Sequence, residues 1–139
     1  MLRDITKIKL LTTELDQDAI EVLGELPNLV ALHLWRKSYV ACELHFRMAK
    51  FRRLKLLALD SLDSLESVAI ERKAMMHLQW LWVYRCVSLR DNEDGITGVL
   101  FLPKLKEIRL KCDDDKLQLE AALQRQVREH QNRPHFKSN

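Results

Sequence analysis

The sequence predicts an α/β repeat solenoid: short parallel strands stacked coil upon coil into one sheet, with an irregular outer side and a closing helix at the C-terminal end. Three observations predict it. Apolar residues recur at relative positions 0, 3, 6 and 8 in five copies. The copies begin at Leu2, Leu26, Phe51, Met75 and Leu102, so their starts lie 24, 25, 24 and 27 residues apart. After the last copy the apolar spacing changes to that of a helix, behind three consecutive aspartates at positions 113, 114 and 115.

Each copy fills all four positions. They are Leu2, Ile5, Ile8 and Leu10; Leu26, Leu29, Leu32 and Leu34; Phe51, Leu54, Leu57 and Leu59; Met75, Leu78, Leu81 and Val83; Leu102, Leu105, Ile108 and Leu110. At 47% hydrophobic content one such match has odds of about one in twenty, so five in near-constant register are not chance. The last two positions of each copy are two residues apart and leave the same face of a strand. The first two belong to the turn that enters the strand. No coil buries its apolar face alone, so neighbouring coils must complete the core. Pro27 and Pro103 follow the first apolar residue of their copies, where a fixed φ and a missing N–H do no harm. A period in this range is that of leucine-rich repeats.

Beyond the strands the copies diverge. Leu62 and Leu65, then Cys86 and Leu89, occupy further inward positions, whereas Lys37 and Val40 break that pattern. Val68 and Ile70 alternate as a short extended run, and residues 91–100 read as a polar turn leading to an apolar piece. Residues 1–112 are therefore assigned to repeats and 113–131 to a capping helix with Leu119, Ala122, Leu123 and Val127 on its inner face. One of Asp113, Asp114 or Asp115 is expected to cap that helix. Residues 132–139 are expected to be a disordered tail. The N-terminal coil has no cap of its own, which suggests a piece of something longer or a poorly ordered first coil.

Composition excludes several classes. The chain has 139 residues, with 23 lysines and arginines against 20 aspartates and glutamates. That small excess is no nucleic-acid signature, and the basic group at Lys50, Arg52, Arg53 and Lys55 reads as a solvated rim. Cys42, Cys86 and Cys112 are odd in number and widely spaced, so no disulfide framework or zinc site is expected, and a reducing cytoplasmic setting fits. No apolar run reaches the ~20 residues of a membrane span. The phosphate-loop, dinucleotide, zinc-protease and nucleophile-elbow motifs are absent from the sequence. Neither an enzyme nor a cofactor is expected. His77 reads as a solvated turn residue and Cys86 as a buried, inert thiol.

The candidate site lies on the outward face of the strands. Residues between and beside the core positions point there: Lys7, Lys9 and Leu11; Ala31, His33 and Trp35; Leu56, Ala58 and Asp60; Trp80, Trp82 and Tyr84; Glu107, Arg109 and Lys111. All three tryptophans of the chain fall in this set. Tryptophan, tyrosine and arginine dominate protein-binding hot spots, so His33, Trp35, Asp60, Trp80, Trp82, Tyr84 and Arg109 are the candidate partner-binding residues. Two other readings stay open: the rings pack on one another as a structural ladder, or further coils cover them.

The wording of four segments adds a family resemblance. Residues 26–35 (Leu-Pro-Asn-Leu-Val-Ala-Leu-His-Leu-Trp), 51–60, 75–81 and 102–108 resemble the late repeats of plant disease-resistance proteins of the nucleotide-binding leucine-rich-repeat type, the coiled-coil class of the grasses in particular. The resemblance spans residues 1 to about 135. It implies a sensor-end module that contributes to defence by recognising a pathogen effector or a host protein, and that contacts a nucleotide-binding domain absent from this chain. Nucleotide binding itself is not implied, because the phosphate-binding loop is missing. A truncated remnant serving only as an intramolecular regulatory clamp, and the substrate-recruiting part of a ubiquitin ligase complex, are the alternative functions. No contact with nucleic acid or membrane is expected.

Overall fold

The computed structural model describes residues 4–138; Leu2, where the first copy begins, lies outside them, as does the last residue of the expected tail. The element order is β1 (Lys7–Leu11), α1 (Gln17–Leu23), β2 (Ala31–Trp35), β3 (Glu43–Phe46), β4 (Leu56–Asp60), β5 (Ser67–Ile70), β6 (Trp80–Tyr84), β7 (Ile96–Thr97), a 3₁₀ turn (Val99–Phe101), β8 (Glu107–Lys111), α2 (Leu117–Glu129) and β9 (His135–Ser138). Strands β1-β2-β4-β6-β8-β9 form one six-stranded parallel sheet, and β3-β5-β7 form a second, three-stranded one.

The repeat positions set the register. Ile8, Leu32, Leu57, Leu81 and Ile108 stand side by side across the large sheet, as do Leu10, Leu34, Leu59, Val83 and Leu110. From β2 onward every one of these side chains is buried. Leu29, Leu54, Leu78 and Leu105 stack beneath them in the entering turns and are equally buried. Truncating one such leucine to alanine costs about 2–5 kcal/mol, because rigid neighbours on both sides cannot collapse into the gap. Each of the first four strands of the large sheet is followed directly by a residue of positive φ: Thr12, Arg36, Ser61 and Arg85. Their N–H groups donate to the carbonyls of Arg36, Asp60, Tyr84 and Lys111 in the next coil, so the sheet ladder runs on into the turn. In β2's coil, Lys37 also has positive φ, and Ser38 and Tyr39 are buried in place of the expected Lys37 and Val40.

The outer side is more regular than the sequence suggested. Val68 and Ile70 lie on β5, flanked by β3 and β7 in a second parallel sheet whose inner residues include Leu44, Phe46 and Ile96. The first coil instead carries α1, which the sequence reading missed. Only Ile20 of its seven residues is buried, too little for a helical period to show. Asp16 caps it, its carboxylate accepting from the Ala19 N–H at 3.0 Å. Gly98 (φ 88°) turns the chain out of β7 against the Ile70 carbonyl, where a Cβ would meet that oxygen at 2.0 Å.

The C-terminal end brings two corrections. None of the three aspartates caps α2. Lys116 stands at the cap position with its ammonium on the Val87 carbonyl, and Asp91, one coil earlier, accepts from the Leu119 N–H at 2.8 Å. The orphan donor at the helix start is met from the neighbouring coil, with no sequence-local signal. The tail, in turn, is not a free tail: it is a sixth, degenerate copy. Its residues 130, 133, 136 and 138 repeat the 0, 3, 6 and 8 spacing as His130, Arg133, Phe136 and Ser138. Phe136 pairs with Ile108 and packs on the core. His135 donates to the Lys106 carbonyl at 2.8 Å just as Glu107 donates to Gln79 at 3.1 Å and Trp80 to Lys55 at 2.9 Å. His130 sits buried where the other copies carry an apolar residue. Its Nδ1 accepts from the Asn132 N–H at 3.0 Å, so its Nε2 carries the proton donated to the Leu102 carbonyl at 2.8 Å. Both ring nitrogens are thus satisfied, which is what lets a polar side chain occupy a core position.

Candidate protein-binding face

The parallel register sorts the outward residues into three rows across the sheet. Lys7, Ala31, Leu56, Trp80, Glu107 and His135 form the first. Lys9, His33, Ala58, Trp82, Arg109 and Lys137 form the second. Leu11, Trp35, Asp60, Tyr84 and Lys111 form the third. The seven residues singled out from sequence therefore share one face, but six of them fall into two clusters separated by β4, and the seventh, Asp60, lies on β4 itself.

The C-terminal cluster is built around Glu107. Its carboxylate accepts from Trp82 Nε1 at 3.1 Å and Arg109 Nε at 2.9 Å, and Lys137 Nζ lies 3.4 Å away. Burial pushes the Glu107 carboxyl up, yet these three donors together hold it below the usual carboxylate range. The Arg109 guanidinium lies 4.7 Å from the Trp82 ring centre, and Trp82 stacks on Tyr84 at 6.4 Å. Lys106 lies 5.9 Å from the Trp80 ring. Lys137 comes from the segment expected to be disordered, so the sixth coil completes this cluster.

The N-terminal cluster is His33 and Trp35, stacked at 6.2 Å and 21°. Lys9 and Arg36 lie over the Trp35 ring at 4.7 and 4.9 Å. Here the hydrogen bonding is incomplete: His33 Nε2 and Trp35 Nε1 are buried with no partner among the described residues. Burial, and then the Lys9 charge, lowers the His33 pKa, so the ring is neutral near pH 7.

Between the clusters, β4 supplies Leu56, Ala58 and Asp60. Asp60 is only 6% exposed and belongs to the framework. Arg85 Nη2 lies 2.9 and 2.8 Å from its two oxygens, and the Ser61 hydroxyl donates to it at 2.9 Å. The small Ala58 stands between His33 and Trp82 in the second row and leaves a cavity of about 400 Å³ with Leu56, Ala31, Lys7, Lys9 and Tyr84 around it. This cavity was missed in sequence because strands were read along the chain. Read across the copies, the row Lys-His-Ala-Trp-Arg already contains the gap.

A family model described as a leucine-rich repeat region matches residues 1–136. The chain belongs to that leucine-rich repeat family. Among curated proteins the repeats are 32% identical over 109 residues to "Disease resistance protein RPM1" of Arabidopsis thaliana, covering 78% of this chain and 12% of that protein. They are 28% identical over 102 residues to "Disease resistance RPP8-like protein 3" of the same plant, covering 73% of this chain and 11% of that protein. The repeat region thus matches those of plant disease-resistance proteins and spans roughly an eighth of their length. The narrower affinity to the grasses gains nothing from two Arabidopsis relatives. No solved structure matches the repeat chain. Among the described residues no helix is long and apolar enough to cross a membrane, and no group of side chains is placed to hold a metal ion. Cys86 is buried between coils, which pushes its thiol up to about 12, and none of Cys42, Cys86 and Cys112 is joined in a disulfide among the described residues.

Proposed function

We propose that this chain is the protein-binding repeat module of a cytoplasmic plant disease-resistance receptor, contributing to defence by engaging a pathogen effector or a host protein through the outward face of its six-stranded sheet. The carrying observation is the concentration of aromatic and cationic side chains there, with Trp35, Trp80, Trp82 and Tyr84 only half buried. Such rings remove much apolar surface from water on docking at little entropic cost. Repeat regions of this family mediate protein contacts and no enzymatic family is among the matches.

The test is site-specific photocrosslinking in plant cells. A crosslinker placed at Trp82 is expected to join the chain to a partner protein. The same group at Val22, which is 69% exposed on the opposite side, is expected not to. Trp80→Ala combined with Tyr84→Ala should remove the Trp82 adduct. Equal yields from both positions, or an adduct indifferent to those substitutions, sink the proposal.

A further inference from the structure

The cavity over Ala58 and the cations beside it have a chemistry of their own. Resting on the reading that this face docks a protein, we propose that the N-terminal half of the face is a seat for an acidic segment of the partner: an apolar side chain enters the cavity between His33 and Trp82, and a neighbouring carboxylate lies against Lys7, Lys9 and the Trp35 indole N–H.

Charge is the first support. The three rows carry Lys7, Lys9, Arg109, Lys111 and Lys137 against only Asp60 and Glu107. Both acids are already taken, Asp60 by Arg85 and Glu107 by Arg109 and Lys137. Lys7 and Lys9 are exposed and form no ion pair among the described residues. Hydrogen bonding is the second. An indole N–H can only donate, so the unpartnered Trp35 Nε1 calls for an acceptor, and leaving it bare costs the group its hydration. The covers over that ring are Lys9 and Arg36, two long, exposed side chains. A carboxylate drawing Lys9 toward itself uncovers the N–H it then accepts from. His33 Nε2, equally without a partner, lines the same cavity. Shape is the third. The cavity floor is Leu56 and Ala58, with Trp82 and Tyr84 as the far wall, so it takes an apolar side chain and leaves the cations at its rim. An acidic segment with interspersed apolar residues satisfies all three at once.

The experiment uses the full chain, labelled with ¹⁵N, and a synthetic peptide of alternating glutamate and leucine, with glutamine-leucine and lysine-leucine peptides as controls. The three indole N–H resonances report the three tryptophans separately. Titration with the glutamate peptide is expected to move the Trp35 resonance most, since Trp82 already donates to Glu107. Lys7→Glu with Lys9→Glu, both on the surface, should weaken binding about tenfold or more. Trp35→Phe should weaken it about fivefold, the worth of one hydrogen bond. Ala58→Phe should block it by filling the cavity. Raising the salt should weaken it further. The idea is overturned if the glutamine peptide binds as well as the glutamate one, if the lysine reversals leave binding intact, or if an oligouridylate competes more strongly than the acidic peptide. Loss of this binding while the Trp82 crosslink persists removes the acidic seat and leaves protein docking standing. Loss of both removes the larger reading as well.

Discussion

The two aromatic clusters of the sheet face are made from the same residue types and end in opposite states. At the C-terminal end, Trp82 donates its indole N–H to Glu107, and Arg109 and Lys137 close the same carboxylate. At the N-terminal end, Trp35 has cations on its ring but, among the described residues, no acceptor for its N–H, and His33 beside it is equally unmatched. One carboxylate makes the difference. With it, the polar groups of an aromatic-cationic cluster are closed on one another and only the half-exposed rings are left for a partner; without it, the same cluster also keeps donors and charge to offer. Asp60 teaches the same lesson, since an acid on the face was spent on Arg85 and holds the framework.

The largest way to break that contrast is Glu107→Ala. Three donors lose one largely buried acceptor, and a loss of about 3 kcal/mol in unfolding free energy is expected from denaturant titration. Lys9→Ala, in the open cluster, should fall within about 0.5 kcal/mol of the parent. Equal costs for the two would erase the distinction. Next comes His130→Ala, which unsatisfies the Leu102 carbonyl and unpins β9, the strand that delivers Lys137. About 2 kcal/mol is expected, along with faster amide exchange at His135 to Ser138, read by hydrogen–deuterium exchange. Smaller again is a matched pair of ring substitutions. Trp82→Phe forfeits a hydrogen bond to a charged acceptor, about 1.5 kcal/mol beyond the lost ring area, whereas Trp35→Phe forfeits none. Comparing their chemical unfolding midpoints reads the difference directly.

The smallest effect is in pH. Burial lowers the His33 pKa in the folded chain, so below about 6.5 the unfolded chain binds a proton that the folded one refuses. Stability from this group is present above that value and is lost as the pH falls. Thermal unfolding between pH 7.5 and 5.5 should show a shallower acid-side decline in His33→Gln than in the parent, and identical slopes would remove His33 from the account. Binding a carboxylate at the open cluster should shrink the same decline, because the acid compensates the charged ring.

Much of this molecule was legible one residue at a time. The 0, 3, 6 and 8 spacing placed five strands of the large sheet and the core leucines beneath them, because an inward side chain on a repeated backbone admits little but an apolar group. The outward rows followed from strand alternation alone. The sixth coil was illegible by that criterion: His130, Arg133 and Ser138 are polar, and only Phe136 keeps the pattern. What seats His130 is a pair of hydrogen bonds to groups 28 and 2 residues away, and a hydrophobic template does not see hydrogen bonds. The cap of α2 escaped for the same reason. Three aspartates stood at the expected place, yet Asp91 won because coil stacking brings it to the helix end.

The sequence by itself determined the repeat, the parallel register and which side chains look outward, since all three depend on periodicity along the chain. Only the tertiary structure decided which outward groups are paired and which are open, where the cavity lies, and that the last residues form a coil. Those depend on contacts between residues some 25 to 30 positions apart, one coil from the next, where neighbouring side chains either satisfy one another or leave a group for a partner to meet.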